Sequence, residues 1–302
     1  MFRQFIVLAI AFAPAAPLFA QAEPGAWTFG AGWQSATSSI GSIHKLDASA
    51  GRSFGERWQA SLGVPFYFVS PSASTTAATG AGSVRGVGNV YGQLSFLLPS
   101  PVLNFTSAVT LSAPTGSRDK GLSTGHATVD WTSYVDRGFG PFTPFAEAGV
   151  ANSVSDTALF VRPYLTQGFV LHGQAGLRYS FAPWLQAGAS AYRIEPHGSQ
   201  TVVSRVVTRR SLSTPSGLSP GLQNVPGPSF VAGLLDSPSN GVFETTTEVT
   251  GTASLVRDSG FSTWLSFGHG YGLSLRAGFT RSQSYGLNTV FLGAGYNLRR
   301  TF

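Results

Sequence analysis

The chain has 302 residues and a formal net charge of +6, yet only 11% of its residues are charged, against roughly a quarter in soluble domains. It contains 0 cysteines, which excludes a disulfide framework and thiolate metal sites, and its 5 scattered histidines offer no metal-ligand spacing. Basic residues never run beyond the pairs Arg209-Arg210 and Arg299-Arg300, so no nucleic-acid partner is expected despite the positive balance.

The first 22 residues read as a secretory signal peptide: Arg3 at the start, the apolar run Phe5 to Ala13, then Ala20-Gln21-Ala22 as a cleavage site. The run is too short to remain as a membrane helix. The mature chain, 23–302, is read as one domain. No later stretch reaches the length of a transmembrane helix, so an exported chain of alternating strands can enter a membrane only as a closed barrel, where every backbone group is paired.

Strands follow one another with a period of two. In 27–35, Trp27, Phe29, Ala31 and Trp33 share one face and Thr28, Gly30, Gly32 and Gln34 the other. In 45–54, Leu46, Ala48 and Ala50 oppose Lys45, Asp47 and Ser49. In 58–69, Trp58, Ala60, Leu62, Val64, Phe66 and Phe68 oppose Gln59, Ser61, Gly63 and Tyr67. Strands at 89–98, 103–113, 126–136, 142–152, 169–181 and 185–193 repeat the alternation, and the apolar phase is assigned to lipid throughout.

Five short connections carry turn chemistry: Ser53-Phe54-Gly55-Glu56-Arg57-Trp58, Leu98-Pro99-Ser100-Pro101-Val102, Gly138-Phe139-Gly140-Pro141-Phe142, Ser180-Phe181-Ala182-Pro183-Trp184 and Ser266-Phe267-Gly268-His269-Gly270-Tyr271. Aromatics flank them as an interfacial girdle would. The other connections, about 37–43, 70–87, 114–125, 154–168, 196–243 and 282–286, are for the most part longer. Short turns on one side and long loops on the other give an all-β fold, a transmembrane antiparallel β-barrel of twelve strands with no helix after residue 22.

The stretch 196–243 is the irregular one. Val202-Val203-Ser204-Arg205-Val206-Val207 reads as more strand, so the ninth and tenth strands are expected to rise beyond the membrane as a tall hairpin, with this long extracellular loop as a lid. Fourteen strands, with an extra turn near 224–228, is the alternative.

The last strand, 287–302, places Val290, Leu292, Ala294, Tyr296, Leu298, Arg300 and Phe302 on one face, apolar but for Arg300. A final strand ending in Phe resembles the C-terminal signal of bacterial outer-membrane barrels. That resemblance implies the barrel-assembly machinery as a partner and Tyr296, Leu298 and Phe302 as the assembly signal.

No catalytic site and no cofactor is expected. A Ser–His–acid site would need His44, His126, His172, His197 or His269, and nothing resembles the outer-membrane phospholipase. His126 and Asp130 share one face and read as a polar pair in the lumen. By parity the lumen is lined by Lys45, Asp47, Asp130, Asp136, Glu147, His172, Arg178, Arg276 and Arg299. Charges of both signs suit a polar passage for a small solute; pairing across the lumen would instead fill the barrel.

Gly86-Val87-Gly88-Asn89, Ala113-Pro114-Thr115-Gly116 and Gly121-Leu122-Ser123-Thr124-Gly125 resemble the outer-membrane family known as "MetA-pathway of phenol degradation". The likeness covers 86–152 and, loosely, the last strand; Asn89 stands where that family has Asp. It implies a transporter-like barrel for hydrophobic or aromatic compounds and carries over no substrate residue.

The expected function is passive uptake of small solutes across the bacterial outer membrane, in contact with its lipid and lipopolysaccharide. The alternatives are a structural or surface-interaction barrel with a filled lumen and, less favoured, a lipid-modifying hydrolase.

Overall fold

A computed structural model describes residues 25–79, 82–154, 156–157, 159–162, 164–205, 248–251, 256–268 and 272–298. The signal-peptide stretch therefore lies outside the described residues, as do Arg299, Phe302 and most of the long loop.

The alternating stretches become wall strands. In order these are β1 (Trp27–Ser38), β2 (Gly41–Phe54), β3 (Trp58–Pro71), β4 (Val84–Val87), β5 (Tyr91–Leu98), β6 (Asn104–Ser112), β7 (Thr128–Asp136), β8 (Phe142–Ala151), β10 (Val170–Ala182), β11 (Leu185–Pro196), β14 (Asp258–Gly268), β15 (Gly272–Ser282) and β16 (Asn288–Leu298). Each is antiparallel to its neighbours. β1 pairs with both β2 and β16, which closes the sheet into a barrel. β4 and β5 lie one after the other along β3 and form a single stave, so the ring has twelve. Fourteen is excluded because β11 pairs directly with β14, Leu185 opposite Phe267, and leaves no place for further strands between them.

Alternation fixes which side faces lipid. Trp27, Phe29, Trp33, Leu46, Leu62, Leu94, Leu111, Trp131, Leu292 and Tyr296 are exposed on the outer surface. Phe66 shares their phase but is half-buried against the Phe68 ring, 4.9 Å away. So continuous an apolar exterior has no place in water and is what hydrocarbon requires. At the turn end, Phe54, Trp58, Phe139, Phe142, Phe181 and Trp184 are exposed together, and Arg52 and Arg137 lie over the Phe54 and Phe139 rings. That is the expected girdle, with long basic side chains reaching outward from it.

Two expectations are corrected. A helix does follow residue 22: α1 (Ala73–Thr79) lies in the β3–β4 connection. Ser72 caps it, its hydroxyl accepting from Thr75 N–H at 3.2 Å, ahead of an alanine-rich turn. Among the described residues, β11 and β14 do not continue as one tall hairpin either. Three short strands, β9 (Tyr164–Gln167), β12 (Gln200–Ser204) and β13 (Glu248–Gly251), form a separate sheet in the order β13-β12-β9. β12 and β13 do pair with each other, but Pro196 and Gly198 (φ 71°) break the chain away from β11 before β12 begins.

Candidate functional site

The small sheet and the described residues of 152–162 lie inside the loop end of the barrel. Inward-facing wall residues Ala36, Ile43, Tyr67, Val69, Val170 and Ile194 form one buried cluster with Val154, Val161, Tyr164 and Val202. Gln34 on β1 donates to Thr157 O at 2.6 Å, and the Tyr164 and Phe160 rings meet Tyr285 and Tyr192. This is a plug, and its apolar half is matched by apolar wall positions near the mouth.

The plug is latched by one buried charge pair. Arg205 Nη1 donates to Asp156 Oδ2 at 2.7 Å, with only 2% and 4% of the side chains exposed. Tyr67 OH on β3 donates to the same carboxylate at 2.6 Å, and the Arg162 N–H reaches Asp156 Oδ1 at 2.9 Å. Arg205 also donates to Arg162 O at 3.0 Å, and its guanidinium lies 4.3 Å from the Tyr67 ring centroid. A buried ion pair survives only when its remaining hydrogen-bonding capacity is met, and here most of it is. Burial alone would raise the Asp156 carboxyl; Arg205, then Lys45 and the hydrogen bonds, outweigh it and hold the group below the ordinary carboxylate range. Burial would lower Arg205, and Asp156 and Tyr67 hold it above its ordinary value.

The motifs at 86–89 and 113–116 prove to be one corner supporting the plug. Thr115 Oγ1 accepts from Val90 N–H at 2.8 Å and donates to Gly88 O at 3.1 Å, while Asn89 Oδ1 accepts from Gly116 N–H at 3.2 Å. An Asp at position 89 could accept the same bond. The corner carries the following loop inward until Gly121, at φ 66°, meets the Ser204 carbonyl with no room for a Cβ.

Beneath the plug lies a cavity of about 170 Å³. This is below the roughly 300–1,000 Å³ of pockets that hold drug-sized ligands, so it suits a small solute. Its walls include Lys45, Asp47, Asp130, Glu147 and His172, five of the residues expected to line the lumen, with Tyr67, Tyr91, Asp156, Arg162 and Arg205. Lys45 pairs with Asp47 at 3.0 Å, and Tyr91 OH donates to Asp47 at 2.8 Å. His172 Nε2 is 3.2 Å from Asp130 Oδ2, and Thr132 Oγ1 donates to Asp130 Oδ1 at 2.6 Å. Asp130 thus pairs with His172 rather than with His126, which is exposed on the loop before β7; this corrects the pairing inferred from strand parity. Among the described residues no serine bonds His172.

The floor is an aromatic layer. Tyr134, Phe145, Trp264 and Phe291, with Leu159 from the plug, form a second buried cluster across the lumen. The rings pack against the wall because neighbouring strands offer glycine: a Cβ at Gly188 would collide with the Trp264 ring, and one at Gly278 with Phe291. Asp136, Arg178 and Arg276 lie at this level. Arg178 donates to Asp136, which also accepts from Asn104 at 2.8 Å and Tyr134 at 3.2 Å. Arg276 stacks on Trp264 with Cζ 4.3 Å from the ring centroid.

An even-numbered antiparallel barrel with an apolar exterior, short turns at one end and longer loops at the other has the architecture of bacterial outer-membrane proteins. The chain is an outer-membrane β-barrel. No protein-family model and no curated protein matches it. Among solved structures it is similar to the NanC porin, at 5% identity and a TM-score of 0.47 over 89% of this chain and 100% of that one. It is also similar to the beta domain of the Bordetella autotransporter BrkA, at 12% identity and 0.44 over 90% and 98%, and to the CymD monoaromatic hydrocarbon channel, at 7% and 0.37 over 97% and 95%. These are likenesses of general barrel shape; the membrane assignment rests on this chain's own closed wall.

Of the residues expected at the terminal signal, Tyr296 and Leu298 face outward at 47% exposure each. The latch, the plug and the aromatic floor were not foreseen. A signal existed: Ile43, Val69, Val170 and Ile194 are apolar in the inward phase near the mouth, where a water-filled lumen would carry polar residues.

Proposed function

We propose that the barrel is a gated passage for passive uptake of small solutes across the outer membrane. The observation that carries this reading is the cavity under the plug, on which Lys45, Asp47, Asp130, Glu147 and His172 converge from the wall beside apolar plug residues such as Val154, Leu159 and Phe160. Polar groups that only filled a barrel would pair off across it, whereas Glu147 faces the cavity with no hydrogen bond or ion pair among the described residues. The plug closes the mouth through one latch and the aromatic layer closes the floor. A solute enters when the plug loosens, occupies the cavity, and leaves when the floor rings turn aside. The resemblance of 86–152 to the phenol-degradation barrels, together with the ring-lined floor, supports hydrophobic or aromatic compounds as the solutes. Recognition of β16 by the barrel-assembly machinery, with Tyr296 and Leu298 on its outer face, belongs to the same proposal.

Swelling of liposomes containing the purified barrel, in neutral sugars of rising size, tests it. Entry of the smallest solutes with a sharp size limit is expected. Absence of entry for every solute would favour the second reading, a filled structural barrel, for which the aromatic layer across the lumen is the specific support.

A further inference from the structure

The floor of the lumen contains two guanidinium groups and one carboxylate. Asp136 is already engaged, accepting bonds from Arg178, Asn104 and Tyr134 and none from Arg276. Arg276 is left over. It is 9% exposed, its Nε has no hydrogen-bond partner, and no hydrogen bond or ion pair reaches it among the described residues. Among the described residues, the contact made by its guanidinium is with the Trp264 face. Arg178 leaves its own Nε unpartnered as well. A buried cation beside a second cation is costly unless an anion completes the group, and removing water from it raises that cost.

The surroundings describe the missing anion. A guanidinium presents a planar fork that matches a carboxylate. On the β16 side the position facing Arg276 is Gly293, itself opposite Gly32 on β1, so the wall carries no side chain there. On the other side stand the rings of Trp264, Phe145 and Tyr134, the first two 6.1 Å apart. A flat apolar body against the rings and a carboxylate toward Arg276 satisfy both halves.

We propose that the floor is a binding site for small aromatic carboxylates, with Arg276 as the residue that takes the carboxylate, Arg178 beside it, and Trp264 and Phe145 covering the ring. This rests on the uptake reading for its biological purpose but not for its chemistry. Within that reading it makes the floor the step that selects solutes by charge: anions are drawn through and cations of the same shape are held back.

The test is calorimetry of the purified, folded barrel in detergent with sodium benzoate and, separately, benzylamine hydrochloride, two flat probes of opposite charge. Benzoate binds the wild-type protein and benzylamine does not. Arg276→Gln weakens benzoate at least tenfold, while Arg276→Lys, which keeps the charge without the fork, retains part of the affinity. Heat-modifiable migration on a gel shows that each variant is folded, and the Lys variant keeps the test alive if the Gln variant is not. No benzoate binding to the wild type, equal binding of benzylamine, or binding unchanged in Arg276→Gln overturns the site. Benzoate bound in the calorimeter yet excluded from liposomes would refute uptake and leave the site standing.

Discussion

Wall and plug are built by different physics. The wall is a periodic object: every stave bonds to two neighbours, and alternate residues meet lipid and lumen. The plug is made of strands of 4 or 5 residues in a sheet too small to stand alone. It stays in place because apolar wall positions near the mouth receive it and because Arg205, Asp156 and Tyr67 tie it to β3. The wall draws its stability from many equivalent bonds; the plug rests on a few unlike contacts, the apolar cluster, the Gln34–Thr157 bond and the ring contacts, with its buried charge gathered at one point, Arg205–Asp156.

The largest expected effect is at that point. Arg205→Met leaves the Asp156 carboxylate buried without its cation, which costs about 3–5 kcal/mol for a pair this enclosed. Hydrogen exchange should show β12 opening while β1 and β16 remain protected; equal loosening of wall and plug would erase the distinction. The same latch sets a pH dependence. Asp156 is held below its ordinary value in the folded state, so its contribution is complete above the unfolded value of about 3.9 and is lost as pH falls through the lower folded value. Plug exchange should therefore be flat across neutral pH and rise only in acid below about pH 4. A rise between pH 6 and 8 would assign the latch to another group.

The wall should break at its lipid face instead. Leu62 is 67% exposed on β3, and Leu62→Arg places a charge in the apolar band at a cost of up to about 2–4 kcal/mol. Folding into vesicles should fall while benzoate binding by the folded fraction is unchanged. A smaller effect is expected from Gly188→Ala, where the added methyl meets the Trp264 ring. Overpacking of this kind costs about 1–3 kcal/mol, read as a lower unfolding midpoint in urea. An unchanged midpoint would mean that the ring is free to shift.

The same contrast explains what the sequence disclosed. Period two in 58–69 and 287–298 states the wall, because Trp58, Leu62 and Leu292 must meet lipid whatever else the chain does. Lys45, Asp47, Asp130, Glu147 and His172, which parity groups on the inward face, line one cavity. The plug has no period to detect. Its strands span two turns of pattern at most, and the partners of Arg205 lie 49 and 138 residues away at Asp156 and Tyr67. The run from Val202 to Val207 looked like a strand and was one in part, yet nothing local says that it turns inward to pair with β9. The His126–Asp130 expectation failed for a related reason: β7 begins at Thr128, two residues after His126, so parity counted along a strand does not extend to it.

Single-channel recording of the purified barrel in planar bilayers, wild type beside Arg205→Met, tests the central claim most directly, that the plug rather than the wall controls the passage. The account predicts brief, infrequent openings for the wild type and long openings of the same unit size for the variant, because the wall that sets the bore is unaltered. A variant as silent as the wild type, or one whose step size changes while its open time does not, would contradict it.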